Sequence, residues 1–161
     1  MLCSYRSAGP LPVWVLMYNL FLDDIRRVEN AYIYPRITPE HTVTDVKSLV
    51  DASGIPIEDW IVVRNYEDFA KTIELLGLPA VVSFDHDLAE SHIKHYFEVS
   101  SISGIIEYEK LKEKTGKHCA EFLVDKWNKS GRVKAIKTFI HSANIYGVVQ
   151  IEKVLKELHN D

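Results

Sequence analysis

The chain has 161 residues, which is enough for one ordinary domain with one hydrophobic core. Its hydrophobic fraction of 47% and charged fraction of 26% are typical of globular proteins and exclude a chain that is disordered as a whole. The formal net charge of −4 argues against duplex DNA as a partner, because that normally requires a basic face, whereas a small nucleotide needs only a few local cations. The two cysteines, Cys3 and Cys119, are too few for a disulfide framework and predict a reducing, cytoplasmic setting.

The most apolar stretch of the chain covers residues 11–22, where Pro12, Tyr18 and Asn19 interrupt it. It is too short for a membrane-spanning helix, so no membrane partner is predicted. It also lacks a basic leader and a small-residue cleavage site, which makes a signal peptide a poor interpretation. We treat residues 1–16 as an N-terminal extension and residues 17–161 as one domain.

Short apolar segments alternate with helical patterns along the chain. The predicted strands cover residues 18–22, 60–64, 80–84 and 135–140. Alternation of this kind predicts an α/β fold, with a mainly parallel four-stranded sheet between two layers of helices and right-handed crossovers.

Capping residues mark the expected helix ends. Asn65 is a strong N-cap after the second strand, and Gly77 ends the same helix in the left-handed conformation. Thr115 begins a second helix, in which Cys119 is expected to be a small core residue. The final helix is expected to begin at Gly147.

Two long connections follow strands that end in acid. Residues 31–59 contain breaking prolines and a possible helix over 44–52 with Thr44 as its cap. Long connections are usually functional or mobile, so this one could cover the neighbouring site. Residues 90–114 carry His92 and His95, which would suit a metal if they were helical, although solvated loop histidines are the favoured interpretation.

Chemically useful side chains stand where three of the predicted strands end. Asp23 and Asp24 follow the first strand, Asp85 and Asp87 follow the third, and His141 follows the fourth. Ligands of open α/β sheets gather at the carboxyl ends of the strands. His141 is suited to proton transfer near neutral pH, and a satisfied core histidine is an equally good explanation.

The carboxylates suit a divalent cation. Asp23, Asp24 and Asp85 could supply oxygen ligands to Mg²⁺ or Mn²⁺, and without a cation their repulsion would raise at least one pKa. The simpler explanation, that Asp24 caps the following turn, accounts for only one of the two adjacent acids. If the chain stays extended, Asp85 and Asp87 point to the same side and His86 to the other.

Further groups at the strand ends suit a phosphate. Arg26 and Arg64 could contact it in a bidentate manner. Ser142 and Asn144 could donate hydrogen bonds to phosphate oxygens, and Asn144 could equally cap the final helix. Gly-x-Ser-x-Gly, Walker and Gly-x-Gly-x-x-Gly motifs do not occur in the chain.

Several segments of the chain resemble, in order and spacing, the cyclic-phosphate-processing receiver-like domain family of small, often phage or bacterial proteins. These segments are LFLDDIR (20–26), WIVVRNYEDF (60–69), VVSFDHDLA (81–89), EKTGKHCAEFLV (113–124) and HSANIYG (141–147). The resemblance covers most of residues 19–159. It implies a receiver-like or flavodoxin-like fold with sheet order 2-1-3-4, strand-end aspartates at Asp23, Asp24 and Asp85, and a role with cyclic-phosphate-bearing nucleotides or RNA ends.

The chain departs from the family pattern at a few positions. Ile145 stands where a proline is typical, and Gln150 stands where an asparagine is typical. A fifth strand with the usual receiver lysine is not visible, since Lys134 and Lys137 lie at the wrong end of the fourth strand. This departure argues against a phosphoacceptor role.

The expected function is metal-dependent, phosphoesterase-like hydrolysis of a cyclic phosphate or nucleotide. A non-catalytic module that binds and sequesters a nucleotide is the first alternative, and a phosphoacceptor receiver is the second. The predicted cofactor is Mg²⁺ or Mn²⁺, and the predicted partner is a small nucleotide or an RNA end that carries a cyclic phosphate.

The predicted catalytic residues are His141, Asp85 and Asp87. The predicted substrate-binding residues are Arg26, Arg64, His86, Ser142 and Asn144. The predicted metal ligands are Asp23, Asp24 and Asp85.

Overall fold

The computed structural model describes residues 17–34, 46–89, 113–132 and 134–159. Its strands are β1 (Asn19–Leu22), β2 (Tyr32–Ile33), β3 (Lys47–Ser48), β4 (Trp60–Val63), β5 (Val81–Phe84) and β6 (Lys137–Ile140). The main sheet has the order β4-β1-β5-β6, and all of its neighbouring strands are parallel. In terms of the predicted strands this order is 2-1-3-4, so the predicted fold class and sheet order are confirmed.

The register brings the carboxyl ends of the main strands to one edge. Leu22 lies opposite Val63 on one side and Phe84 on the other, and Phe84 lies opposite Ile140. The residues that follow these strands therefore leave the sheet at the same edge. This alignment, which follows from four short apolar strands of equal length, positions the candidate site.

One face of the sheet carries the longer helices. These helices are α2 (Tyr66–Leu76), α3 (Gly116–Lys129) and α4 (Ile145–Leu155). Leu20 and Leu22 of β1 point to this face and join a core that includes Phe69 of α2, Leu123 of α3 and Ile151 of α4. Each of these side chains is fully buried, which contributes about 1.5–3 kcal/mol per side chain.

The opposite face is covered by a thinner layer from the long connection after β1. Phe21 points to this face and packs in a second cluster with Leu49 and Trp60. Leu49 begins the short helix α1 (Leu49–Ser53), which Ser48 caps by accepting a hydrogen bond from the Asp51 amide. The predicted cap, Thr44, lies outside the described residues, and the described helix begins later than expected because β3 pairs with β2 up to Ser48. The described part of this connection serves as a layer of the fold.

Helix caps agree with the sequence at two ends and differ at two others. The Asn65 side chain accepts a hydrogen bond from the Asp68 amide at 2.8 Å, as predicted, and Thr115 begins α3 with a capping box. Gly77 has the expected positive φ of 80°, but its ψ of −167° differs from the left-handed helical value. The final helix begins at Ile145 rather than Gly147, because the Asn144 side chain caps it.

Some predictions concern residues that the structure does not describe. The N-terminal extension and the histidine pair His92 and His95 lie outside the described ranges. Cys119 lies within them and is fully buried, which confirms it as a core residue. Among the helices of the described ranges, none has the length and apolar character needed to cross a membrane.

Candidate functional site at the carboxyl edge of the sheet

Three carboxylates meet where β1 and β5 end. Asp23, Asp24 and Asp85 each present an oxygen, and these oxygens lie within 4.8 Å of one another. Asp23 and Asp85 are buried, and Asp24 is partly exposed. The residues predicted as metal ligands therefore lie together, because β1 and β5 are adjacent and end at the same level.

Asp23 is the most heavily hydrogen-bonded member of this acidic cluster. Its Oδ1 accepts from the amides of Ile25 and Arg26 at 2.8 and 2.5 Å, so Asp23, and not Asp24, caps the turn after β1. Its Oδ2 lies 3.2 Å from Nε2 of His141 and 3.3 Å from Nε of Arg26. A carboxylate offers about four acceptor positions, so Asp23 is close to saturated. Burial raises its pKa, but hydrogen bonds from His141 and the two amides outweigh burial and hold the pKa below its usual value.

The other two carboxylates are shifted in the opposite direction. Burial, with the neighbouring charges of Asp23 and Asp85, raises the pKa of Asp24 to about 6. Burial is also the largest influence on Asp85 and raises its pKa, although His141 and Arg26 act against the shift. The mutual repulsion expected from the sequence is therefore present.

His141 is held inside the protein by both of its ring nitrogens. The ring is 0% exposed and stacks on Phe21 with 4.6 Å between ring centroids. Its Nδ1 lies 2.7 Å from Oγ of Ser83, and its Nε2 faces Asp23. The chain Ser83–His141–Asp23 thus fixes the buried carboxylate. This geometry favours a positioning role over the direct proton transfer predicted from the sequence, because a substrate would have to reach the ring.

The two predicted phosphate-binding arginines make contacts within the protein. Arg26 lies between the carboxylates of Asp23 and Asp85 and donates from Nη1 to the carbonyl oxygen of His141 at 2.8 Å. Arg64 donates from Nη1 to the carbonyl oxygens of Asp23 and Arg26 at 2.9 and 2.6 Å. Arg64 therefore braces the turn that carries the acidic pair, which is a structural role that the sequence pattern did not indicate.

Asp87 departs from the predicted arrangement. Its Oδ1 lies 2.9 Å from Nδ1 of His86, and its Oδ2 accepts from Nδ2 of Asn144 at 3.0 Å. Asp87 and His86 therefore contact each other and share Asn144 as a neighbour. The arrangement predicted for a chain that stays extended does not apply here. The extended conformation ends with β5 at Phe84, so the alternation of side chains does not continue through the loop.

Ser142 and Asn144 also support the site from within. Ser142 is buried, its hydroxyl accepts a hydrogen bond from the Asn144 amide, and its side chain lowers the pKa of Asp85 against the effect of burial. Asn144 is buried and combines its contact to Asp87 with the cap of α4. Of the two interpretations of Asn144 left open by the sequence, the helix cap is confirmed.

Sequence reasoning missed three residues that shape this edge. Ser83 holds His141, and its signal was a polar residue inside an otherwise apolar buried strand. A Cβ on Gly116 would lie 1.9 Å from the carbonyl oxygen of Asp85, and a Cβ on Gly147 would lie 2.1 Å from Cγ of His86. The sequence feature that could have identified both positions is a glycine in the first turn of a helix, where glycine is otherwise unfavourable.

The donor set fits a hard divalent cation. Carboxylate oxygens are the ligands that Mg²⁺ and Mn²⁺ prefer, and three acidic groups in one place carry more negative charge than Arg26 balances. Asp24 and Asp85 are better suited as direct ligands than Asp23, which accepts hydrogen bonds from two amides and His141 and also contacts Arg26. Asp85 accepts from the His86 amide at 2.8 Å and, at the longer distance of 3.4 Å, from Arg26.

Comparisons with known proteins give one positive result. No curated protein and no solved structure matches the chain. A family model described as the cyclic-phosphate processing receiver domain matches residues 18–157, which includes every residue of the candidate site. The match spans most of the chain, so the protein belongs to the cyclic-phosphate processing receiver domain family.

Proposed function

We propose that the protein is a metal-dependent phosphoesterase that opens the ring of a cyclic phosphate on a nucleotide or an RNA end. One observation carries the proposal: Asp23, Asp24 and Asp85 converge at the carboxyl edge of the sheet, with oxygens within 4.8 Å of one another. Family membership supplies the class of chemistry, which is the processing of a cyclic phosphate. The carboxylates supply the ligands that Mg²⁺ or Mn²⁺ requires.

The proposed roles follow from how each carboxylate is held. Asp24 and Asp85 would hold the cation, and bound there it would supply positive charge to the phosphoryl oxygens. Asp23 contributes a fixed negative charge beside them. Ser83 and His141 act as positioning residues, because their hydrogen bonds orient Asp23 without reaching the substrate.

The reaction adds water across one phosphorus–oxygen bond of the ring. The water oxygen bonds to phosphorus, one ring oxygen leaves phosphorus and takes up a proton, and the product is a phosphate monoester with a free hydroxyl. Asp87 is the proposed proton-transfer group, since its carboxylate is partly exposed and lies at the same edge as Asp85. His86 and Asn144 hold it through side-chain contacts.

A non-catalytic nucleotide-binding module is the second candidate. It is favoured by the burial of His141, whose two ring nitrogens are both engaged by protein groups. Such a module would bind the cation at the same carboxylates and the phosphate through that cation, but it would leave the ligand unchanged. The phosphoacceptor interpretation stays a prediction, which labelling of Asp85 with acetyl phosphate tests.

The test is a substrate screen combined with cation titration. Nucleoside 2′,3′-cyclic phosphates, nucleoside 3′,5′-cyclic phosphates and cyclic dinucleotides are incubated with the protein and Mg²⁺ or Mn²⁺, and product is measured by chromatography. Cation binding is followed in parallel by the melting temperature, since a ligand at about one hundred times its Kd stabilises the folded state by about 2.7 kcal/mol.

Asp85→Asn is the test variant, and Asp125→Asn is its matched control. Asp125 is exposed on α3 and pairs with Lys129, away from the acidic cluster. We expect Asp85→Asn to abolish both turnover and the cation-dependent shift in melting temperature, and Asp125→Asn to retain both. Tight binding of unchanged ligand would identify the module instead. A cation shift that survives in Asp85→Asn would contradict the proposed metal site.

A further inference from the structure

The guanidinium of Arg26 lies where three acceptors of the candidate site meet. Its Nε is 3.3 Å from Oδ2 of Asp23, and its Nη2 is 3.4 Å from Oδ2 of Asp85. Its Nη1 donates to the carbonyl oxygen of His141 at 2.8 Å. Arg26 therefore balances part of the charge of two buried carboxylates, one of which is a proposed cation ligand.

The contacts of Arg26 to the carboxylates are longer than a tight ion pair. Charge-assisted hydrogen bonds between nitrogen and a carboxylate oxygen usually measure about 2.7–2.9 Å, so both ionic contacts are loose. The Arg26 side chain is 32% exposed, whereas the side chains of Asp23 and Asp85 are 1% and 3% exposed. The Arg26 side chain is therefore more accessible to solvent than either carboxylate that it contacts.

A cation bound by Asp85 would share a carboxylate with Arg26. The bound cation and the guanidinium are both positive, so they repel each other when they share one carboxylate. The repulsion is strongest where water is partly excluded. Arginine also presents a planar fork of donors that matches phosphate. We propose that Arg26 is a phosphate-binding residue whose availability is set by the cation: it leaves Asp85 when a divalent cation binds there, and then contacts the phosphoryl group of the ligand. This inference rests on the proposed function and names a coupling within the same site.

The proposal predicts effects of opposite sign on two ligands. If Arg26 competes with the cation, removing its charge strengthens cation binding. If the displaced guanidinium contacts phosphate, the same change weakens phosphate binding to the cation-loaded protein. A residue that served the fold alone would not shift the two affinities in opposite directions.

The experiment uses Arg26→Gln in the full chain, with Arg27→Gln as the matched control. Arg27 is the adjacent arginine, its side chain is 77% exposed, and its Nη1 lies 3.9 Å from a carboxylate oxygen of Glu29. Binding of Mn²⁺ alone is measured by calorimetry, and binding of inorganic phosphate is measured with the site saturated by Mn²⁺. We expect Arg26→Gln to bind Mn²⁺ about fivefold more tightly or better, which is the lower range of typical coupling between sites. We expect its phosphate affinity to fall by about tenfold, the lower end of what a hydrogen bond to a charged group contributes, and we expect Arg27→Gln to match the unmodified protein in both measurements.

The possible results separate this inference from the proposed function. Unchanged or weaker Mn²⁺ binding in Arg26→Gln overturns the competition, and unchanged phosphate binding overturns the phosphate contact. If neither the unmodified protein nor the variant binds Mn²⁺, the proposed metal site itself is wrong and the inference fails with it. Should Arg26→Gln not fold, Arg26→Lys is used, because it keeps the charge but cannot span Asp23 and Asp85. That variant is expected to change both affinities in the same directions as Arg26→Gln, but by smaller factors. If neither affinity changes, the proposal is overturned.

Discussion

The positioning role of His141 leads to a prediction about a pair of variants, His141→Gln and His141→Leu. Both remove the imidazole, and both lose its stacking on Phe21. They have similar volumes, but only glutamine keeps a nitrogen donor that can reach Asp23. The difference in their free energies of unfolding therefore reports the hydrogen bond between residue 141 and the Asp23 carboxylate.

The expected magnitude follows from the charge and burial of this contact. The His141–Asp23 hydrogen bond measures 3.2 Å and joins two groups that are both buried. Hydrogen bonds to charged groups contribute about 1.5–3 kcal/mol, so His141→Gln should be more stable than His141→Leu by roughly that amount at neutral pH. Domains of this kind unfold at a cost of about 5–15 kcal/mol, so both variants should remain folded.

The difference between the two variants should also depend on pH. Burial raises the pKa of Asp23, but hydrogen bonds from His141 and the amides hold it below the ordinary value of 3.8. A lowered carboxylate pKa contributes stability above the unfolded pKa, and this stability is lost as the pH falls through the folded pKa. In His141→Leu the hydrogen-bond donor to Asp23 is missing, so less remains to offset the effect of burial on the ionised carboxylate. The contribution of Asp23 to stability is therefore smaller in that variant. The gap between the variants should therefore be fully present at about pH 7 and should shrink as the pH falls below 3.8.

Urea denaturation followed by circular dichroism at several pH values measures this gap. Ser83→Ala is a useful companion, since it removes the support of Nδ1 but leaves the imidazole. Equal stability of the two variants at residue 141, or a difference that does not change with pH, would show that the His141–Asp23 contact does not hold the carboxylate and would refute the positioning role.

Two other predictions follow from the same edge of the sheet. Gly116→Ala should destabilise the protein by about 1–3 kcal/mol and weaken cation binding, because the new Cβ would lie 1.9 Å from the Asp85 carbonyl oxygen; an alanine variant with unchanged unfolding and Mn²⁺ affinity would contradict this packing. Burial and the neighbouring acids raise the pKa of Asp24 to about 6, so its contribution to the stability of the cation-free protein is present at low pH and is lost as the pH rises from 3.8 through about 6. Protons then compete with the cation, so the Mg²⁺-dependent gain in melting temperature should grow as the pH rises through this range, and a gain that is constant with pH in the unmodified protein would argue against Asp24 as a ligand.

The amino-acid sequence was sufficient to predict the sheet and the placement of its acids. Short apolar segments bounded by glycine and proline are local signals, and parallel strands of equal length end at one edge. Asp23 and Asp85 follow two such strands directly, and the family resemblance implied that these strands are neighbours, so the proximity of the two acids needed no knowledge of the loops. The cap at Asn65 was predictable for the same reason, since it depends on residues within one turn.

The partners of the polar side chains were decided only by the tertiary structure. The sequence offered Arg26 and His141 as groups for a ligand, but both contact Asp23, from which His141 lies 118 positions away along the chain. Asp87 and Asn144 likewise meet across 57 positions. Residue patterns carry the period of a helix or strand, but not the direction that a side chain takes in a loop once the regular backbone ends. Which positively charged side chain neutralises a buried carboxylate depends on the distance between them and on their burial. Both quantities are set only when strands from distant parts of the chain have come together.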